Sequence, residues 1–251
     1  MLGSLDCMHW QWKNCPTQWA GMYRSRTKKC TIILEAVASY DTWIWHAFFG
    51  IPGSNNDVNV LNRSNLFYDL HRGISPPANY SICGRNYNIG YYLADGIYPK
   101  WSTLVRTIAK PKDAKERLFT KKKQESYRKD VERAFGVLQS RFAIVRGVAR
   151  FWSKDTLHDV MAACIIMHNM IVEEERTSYI NHFVFNEPPP ILPVYESSST
   201  VDTVDLRRDH ENQSFARFLQ SHRRSENRGE HFELRNRLVE HLWNWHGQSD
   251  E

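Results

Sequence analysis

The chain has 251 residues, 41% hydrophobic and 24% charged, with a formal net charge of +5, which is ordinary for a globular protein with one full-sized core and an appendage. No apolar run reaches the roughly 18–20 residues of a membrane span, and the start, Met-Leu-Gly-Ser-Leu-Asp, has neither the basic nor the apolar region of a signal peptide. The five cysteines are odd in number, widely spread and lack a C-x-x-C pair, which excludes a disulfide framework and points to a reducing compartment.

Taken in chain order, residues 2–7 read as the end of a strand carrying Asp6. Residues 31–39, Thr-Ile-Ile-Leu-Glu-Ala-Val-Ala-Ser, are rich in β-branched side chains and predict a second strand. Asp41-Thr42 is a turn, and 43–49 is the returning strand of a hairpin. Gly50-Ile-Pro-Gly-Ser-Asn-Asn breaks the chain. Asp57 then reads as the N-cap of a helix running to about His71. Residues 80–83 and 89–94 predict strands, the second ending at Asp95, before Gly96-Ile-Tyr-Pro99 stops it.

From Asp113 the period turns helical. Tyr127, Val131, Ala134, Phe135, Leu138 and Phe142 recur at i+3/i+4 and mark a buried stripe. Arg128, Glu132, Gly136 and Gln139 lie on a neighbouring stripe that borders the core. A second helix from Ser153 to Glu175 is apolar almost all round and is expected to be buried. Composition changes after Ser178. Residues 179–204 form a Pro/Ser-rich linker. Helix returns from Leu206, and Leu234, Leu238, Leu242 and Trp245 form one stripe of a terminal helix, expected either to dock back on the core or to meet a partner. The order strand, hairpin, helix, strand, helices predicts an α/β fold: an RNase H-like mixed sheet flanked by helices, with a C-terminal helical appendage. The domains are then 1–178, the linker 179–204, and 205–251, a segment expected to be separable from the core.

Charge is unevenly spread. Residues 100–150 hold fifteen Lys and Arg against five Asp and Glu, so this stretch carries about +10 and the remainder about −5. That is the footprint of a nucleic-acid face, although a solvated helix surface gives the same pattern. Within this setting Asp6, Asp95 and Glu132 stand out. Two carboxylates at strand ends and one on a helix can hold two divalent ions about 3.5–4 Å apart, as in-line phosphodiester cleavage requires. Hard oxygen ligands favour Mg²⁺ or Mn²⁺ over Zn²⁺.

Each of these residues has a bland alternative: a turn Asp, a second turn Asp and a surface Glu. Asp57 is the rival for the second carboxylate, with the N-cap as its structural explanation. His9 should face away from Asp6 if the strand persists. Cys7, His9 and Cys15 lack a second pair at finger spacing, which argues against zinc. His168, within an apolar helix, is expected to be buried and hydrogen-bonded. Lys121, Lys122 and Lys123, with Arg128 and Arg133, are candidate DNA contacts, and a solvated face is the alternative. Trp10, Trp12 and Trp19 could stack on bases or pack on the sheet.

The chain resembles the DDE nuclease domain of PIF/Harbinger transposases and their domesticated relatives, especially the plant group. The motifs, in order, are Gly3-Ser-Leu-Asp6-Cys-Met-His-Trp, Trp12-Lys-Asn-Cys-Pro, Pro52-Gly-Ser-Asn-Asn-Asp-Val-Asn-Val-Leu, Leu93-Ala-Asp95-Gly-Ile-Tyr-Pro, Gln124-Glu-Ser-Tyr-Arg-Lys-Asp-Val-Glu132-Arg-Ala-Phe-Gly-Val-Leu-Gln and Met167-His-Asn-Met. They span residues 1–175. Singly each is weak; together and in order they are specific. The resemblance aligns the family's three acidic residues with Asp6, Asp95 and Glu132, the last two separated by 36 residues. It implies an RNase H-like fold, Mg²⁺/Mn²⁺-dependent strand cleavage using two ions, and a nuclear location, with the cytoplasm as a second. In that scheme Asp6 bridges both ions, and Asp95 and Glu132 complete one shell each.

Family members carry an N-terminal helical region before the first catalytic strand, whereas here Met1 stands five residues before Asp6. The expectation is therefore a nuclease domain without that region, binding DNA with a separate DNA-binding protein for targeting. The alternatives are a non-catalytic DNA or chromatin adaptor and a truncated inactive copy.

Overall fold

A computed structural model of the protein describes residues 1–68, 70, 78–121, 125–183 and 226–249. The first strand, β1 (Gly3–Gln11), pairs antiparallel with β2 (Thr31–Ala38), which pairs antiparallel with β3 (Ile44–Pro52). A separate hairpin of β4 (Tyr80–Ile82) and β5 (Arg85–Tyr87) follows. Two short strands, β6 (Tyr92–Ala94) and β7 (Leu104–Arg106), then extend the main sheet parallel to β1. The sheet order is β3-β2-β1-β6-β7, the mixed order of an RNase H-like fold, as the residue pattern predicts.

Helices complete the layers: α1 (Ala20–Tyr23), α2 (Asp57–Leu61), α3 (Ala114–Phe119), α4 (Glu125–Arg141), α5 (Ala143–Arg146), α6 (Lys154–Phe183) and α7 (Arg228–Ser249). Every residue of β2 is buried. Its run Thr-Ile-Ile-Leu-Glu-Ala-Val-Ala is what a strand covered on both faces requires. Side chains of β1 alternate. Met8 and Trp10 enter a core with Ile32, Leu34 and Ala36 of β2, Val131, Ala134, Phe135 and Leu138 of α4, and Leu157, Met161 and Cys164 of α6. Leu5 points the other way, to Val37, Leu61, Phe67, Ala94, Tyr98 and Leu104. Gly3 lies where a Cβ would come within 2.8 Å of the Ala38 carbonyl oxygen, so the first turn of this ladder admits no larger residue.

The terminal helix docks back on the sheet. Leu234, Leu238, Val239 and Leu242 of α7 join Leu93, Val105, Ile108 and Phe119 in one cluster. Leu93 and Val105 alternate with Ala94 and Leu104, so α7 lies on the same side of the sheet as α4. Burial of each of these large side chains contributes about 1.5–3 kcal/mol. Trp245, predicted on the same stripe, is exposed.

Several expectations are corrected. The first strand does not end at residue 7; it runs to Gln11 because β2 offers a continuous partner down to Thr31, which places Asp6 mid-strand. Asp57 is not the N-cap. Asn56 is, its Oδ1 accepting from Asn59 N at 2.8 Å, and the helix stops at Leu61. Beyond it the Ser64 hydroxyl accepts from Leu66 N at 3.2 Å, local bonding that competes with helix; residue 71 lies outside the described residues. Strands β5 and β7, unpredicted, have three residues each. Cys83 and Gly84, with φ of 47° and 77°, make the two-residue hairpin turn before β5. Helix α6 is not buried all round. Ile166, Met167 and Met170 are 60%, 43% and 62% exposed, because the helix rides over the sheet edge at β3 and offers it only one stripe. Most of the linker, and Leu206 with the helical segment predicted after it, fall outside the described residues.

Candidate functional site

Strands β1 and β6 run parallel with Leu5 opposite Ala94, so Asp6 and Asp95, the next residue on each, stand side by side. Asp6 Oδ1 accepts from Cys7 N at 2.8 Å. Asp95 Oδ1 accepts from Gly96 N. Each carboxylate is thereby oriented through one oxygen by the backbone amide that follows it. Arg106, in register with Ala94 on β7, donates to the Gly96 carbonyl and its charge faces Asp95.

The third acidic residue arrives by helix packing. Asp6 shares the β1 face of Met8, whose sulfur accepts from Gln139 Nε2 at 3.3 Å. Two turns back along α4 from Gln139, and two residues back along β1 from Met8, lie Glu132 and Asp6. Val131 is buried beside Glu132, which is itself exposed. Among the described residues no three His, Cys, Asp or Glu side chains gather into a group that could hold a metal. The in-register pair of carboxylates has the hard-oxygen chemistry of a Mg²⁺ or Mn²⁺ site.

The opposite face of β1 carries a second polar layer. The Tyr98 hydroxyl and Cys7 Sγ are hydrogen-bonded at 3.6 Å, and the Asp57 charge acts on Cys7. Burial is the main force pushing both the Cys7 thiol and the Tyr98 phenol well above their ordinary values. Asp57 is raised first by burial, and the Asp95 charge adds to this. The rival carboxylate thus approaches the same end of the sheet from the other side. His9 faces away from Asp6, as its spacing predicts, bonding Thr31 Oγ1 through Nδ1 at 2.8 Å. Glu35, fully buried opposite Cys7, meets His46 Nε2 at 3.3 Å through Oε2, while its Oε1 has no partner. Sequence gave one signal for this buried carboxylate, a lone Glu inside an apolar strand, and none for its partner.

Other candidates resolve individually. Trp10 and Trp12 are core residues whose indole N–H groups donate to the carbonyls of Gly147 at 2.9 Å and Phe151 at 2.8 Å. Trp19 is exposed and tilts against Trp12 and Tyr23. His168 is buried as expected; its Nε2–H donates to Thr42 O at 2.8 Å. Lys121 is exposed, whereas Lys122 and Lys123 lie outside the described residues. Arg128 belongs to α4, with its side chain outside the described set. Arg133 is half exposed and paired with Asp130 at 3.2 Å. Arg106 was not singled out by sequence because it sits in an unpredicted three-residue strand.

Residues 1–179 match the plant transposon protein family. A relative from Arabidopsis thaliana, "Protein ALP1-like", is 25% identical over 150 residues, covering 59% of this chain and 37% of the relative. The chain therefore spans well under half of that relative's length. No solved structure matches it.

Proposed function

We propose that this chain, which belongs to the plant transposon protein family and is of Harbinger-type transposase descent, is a metal-dependent DNA endonuclease. The observation that carries the reading is the register of β1 and β6, which sets Asp6 beside Asp95 on the face that α4, the helix of Glu132, also covers. Two Mg²⁺ or Mn²⁺ ions held by Asp6, Asp95 and Glu132 would supply an activated water or DNA 3′-hydroxyl and charge neutralisation at the leaving oxygen. The chain's own groups do the rest. Cys7 N and Gly96 N fix the two Asp carboxylates. Arg106 ties down the Asp95 turn through the Gly96 carbonyl. Lys121, Lys122, Lys123, Arg128 and Arg133 hold the phosphodiester backbone, which gives affinity without sequence preference. Targeting then falls to a separate DNA-binding protein, and the place of action is the nucleus. Nicking of supercoiled plasmid that needs divalent metal tests this reading.

A second reading, a non-catalytic DNA or chromatin adaptor, is favoured by one observation: Glu132 does not join Asp6 and Asp95 in a metal-holding group among the described residues. DNA binding by a chain that never nicks, at any Mg²⁺ or Mn²⁺ concentration, would select it.

A further inference from the structure

On the side of Asp95 away from Asp6, Arg106 of β7 opens a chain of three cations drawn from three parts of the sequence. Phe232 of α7 carries two of them over its ring, Lys100 Nζ at 5.1 Å and Arg235 Cζ at 5.0 Å from the centroid. This turn of α7 is pinned in place by His231, whose Nδ1–H donates to the carbonyls of Trp101 at 3.0 Å and Leu104 at 2.8 Å. Two residues after Leu104 comes Arg106, the third cation. Arg106 feels both the Asp95 carboxylate and the Arg235 guanidinium.

The two guanidiniums are incompletely used. The Nε atoms of Arg106 and Arg235 are both buried without a hydrogen-bond partner. Among the described residues Arg235 donates to a neutral group, Asn236 Oδ1 at 3.2 Å. Arg237, two residues further along α7, is the contrast: it pairs with Glu233 and donates to the Cys83 carbonyl at 3.0 Å. The Asp95 carboxylate offsets part of the repulsion between the two guanidiniums, and each keeps an unspent buried donor that a further anion can use. The planar fork of arginine matches phosphate oxygens in pairs.

We propose that Arg106 and Arg235, with Lys100 beside them, form a phosphate-binding site next to Asp95 that takes one backbone phosphate of bound DNA. This rests on the nuclease reading for the identity of the ligand. It also gives α7, which lies beyond the residues 1–179 of the family match, a part in the site: the terminal helix supplies a phosphate contact that β7 alone cannot complete.

The test is duplex-DNA binding by the full chain without divalent metal, titrated across salt. Arg235→Gln and Arg106→Gln should each flatten the slope of log K against log salt by about 0.9, one phosphate contact on B-DNA. Arg235→Lys should keep most of the slope, and Arg237→Gln should leave it unchanged. Inorganic phosphate, at constant ionic strength, should displace DNA from the wild type more readily than from Arg235→Gln. A thermal midpoint within a few degrees of wild type checks folding, and Arg235→Gln alone decides if Arg106→Gln does not fold. Unchanged slopes in a wild type that binds DNA overturn the site and leave the nuclease reading standing. Flattened slopes in a chain that never cleaves sustain the site and remove the nuclease. An equal loss in Arg237→Gln assigns the effect to bulk charge and overturns the site. So does a wild type that binds neither DNA nor phosphate. Phosphate binding without any effect of the variants on DNA assigns the pair to free phosphate and overturns its role on DNA.

Discussion

The side-chain amide of Asn169 brackets the backbone of Ile44, accepting from its N–H at 3.0 Å and donating to its carbonyl at 2.8 Å. The bracket fastens helix α6 to the first residue of the edge strand β3. Its neighbour His168 holds the preceding turn through Thr42 O, where Thr42 adopts a φ of 70°. The pair His168-Asn169 is thus a clamp on the β2–β3 hairpin, made by a helix some 125 residues away.

Asn169→Ala should therefore destabilise the fold rather than disturb chemistry. Removing the amide leaves a part-buried N–H and C=O without their partners, at a cost of about 1–3 kcal/mol. Urea unfolding should show a lower midpoint at unchanged slope. A variant as stable as the wild type would show that water replaces the bracket freely.

Acid should loosen this clamp and the His231 anchor of α7. Burial is the leading cause that lowers His168 and His231 below the usual 6.5, with the Arg141 charge adding for the first and Arg235 and Arg106 for the second. Glu175 and the accepting carbonyls oppose this only in part. The unfolded chain then binds more protons, so stability is complete above about 6.5 and falls as pH drops through that value toward the folded-state pKa. Unfolding midpoints at pH 8 and pH 5.5 check the sign. Equal midpoints, or a higher one in acid, would contradict it.

Leu238→Ala tests whether α7 belongs to the core. Leu238 is 2% exposed within the cluster that also holds Leu93, Val105 and Phe119, and its truncation should cost about 2–5 kcal/mol. A loss below about 0.5 kcal/mol would mean that the terminal helix is dispensable to the sheet.

The basic run before α4 should act through phosphate contacts. Changing Lys121, Lys122 and Lys123 together to Ala should flatten the salt dependence of DNA binding by up to about 3 in log–log slope. An unchanged slope would return the run to a solvated face.

Much of this architecture is legible in the residues, for identifiable reasons. The continuous apolar run of β2 announces a strand covered on both sides, and the 3.6-residue period of Val131, Ala134, Phe135 and Leu138 announces the α4 stripe. Asp6 and Asp95 were readable as a pair because each follows an apolar strand segment. The extent of β1 was not, because it depends on how far β2 provides a ladder. The apolar α6 misleads because hydrophobicity does not say how much of a helix a sheet edge can cover. Arg106 and Arg235 were beyond reach: their meeting depends on a three-residue strand and on the docking of a helix well over a hundred residues later in the chain.

The most direct measurement of the central claim is plasmid nicking by the wild type and by Asp95→Asn in Mg²⁺ or Mn²⁺. The wild type should nick supercoiled DNA, EDTA should stop it, and Asp95→Asn should abolish it while keeping its thermal midpoint within a few degrees, since the lost carboxylate serves the site and not the core. A wild type that never nicks, nicking that survives EDTA, or wild-type rates in Asp95→Asn would contradict the account.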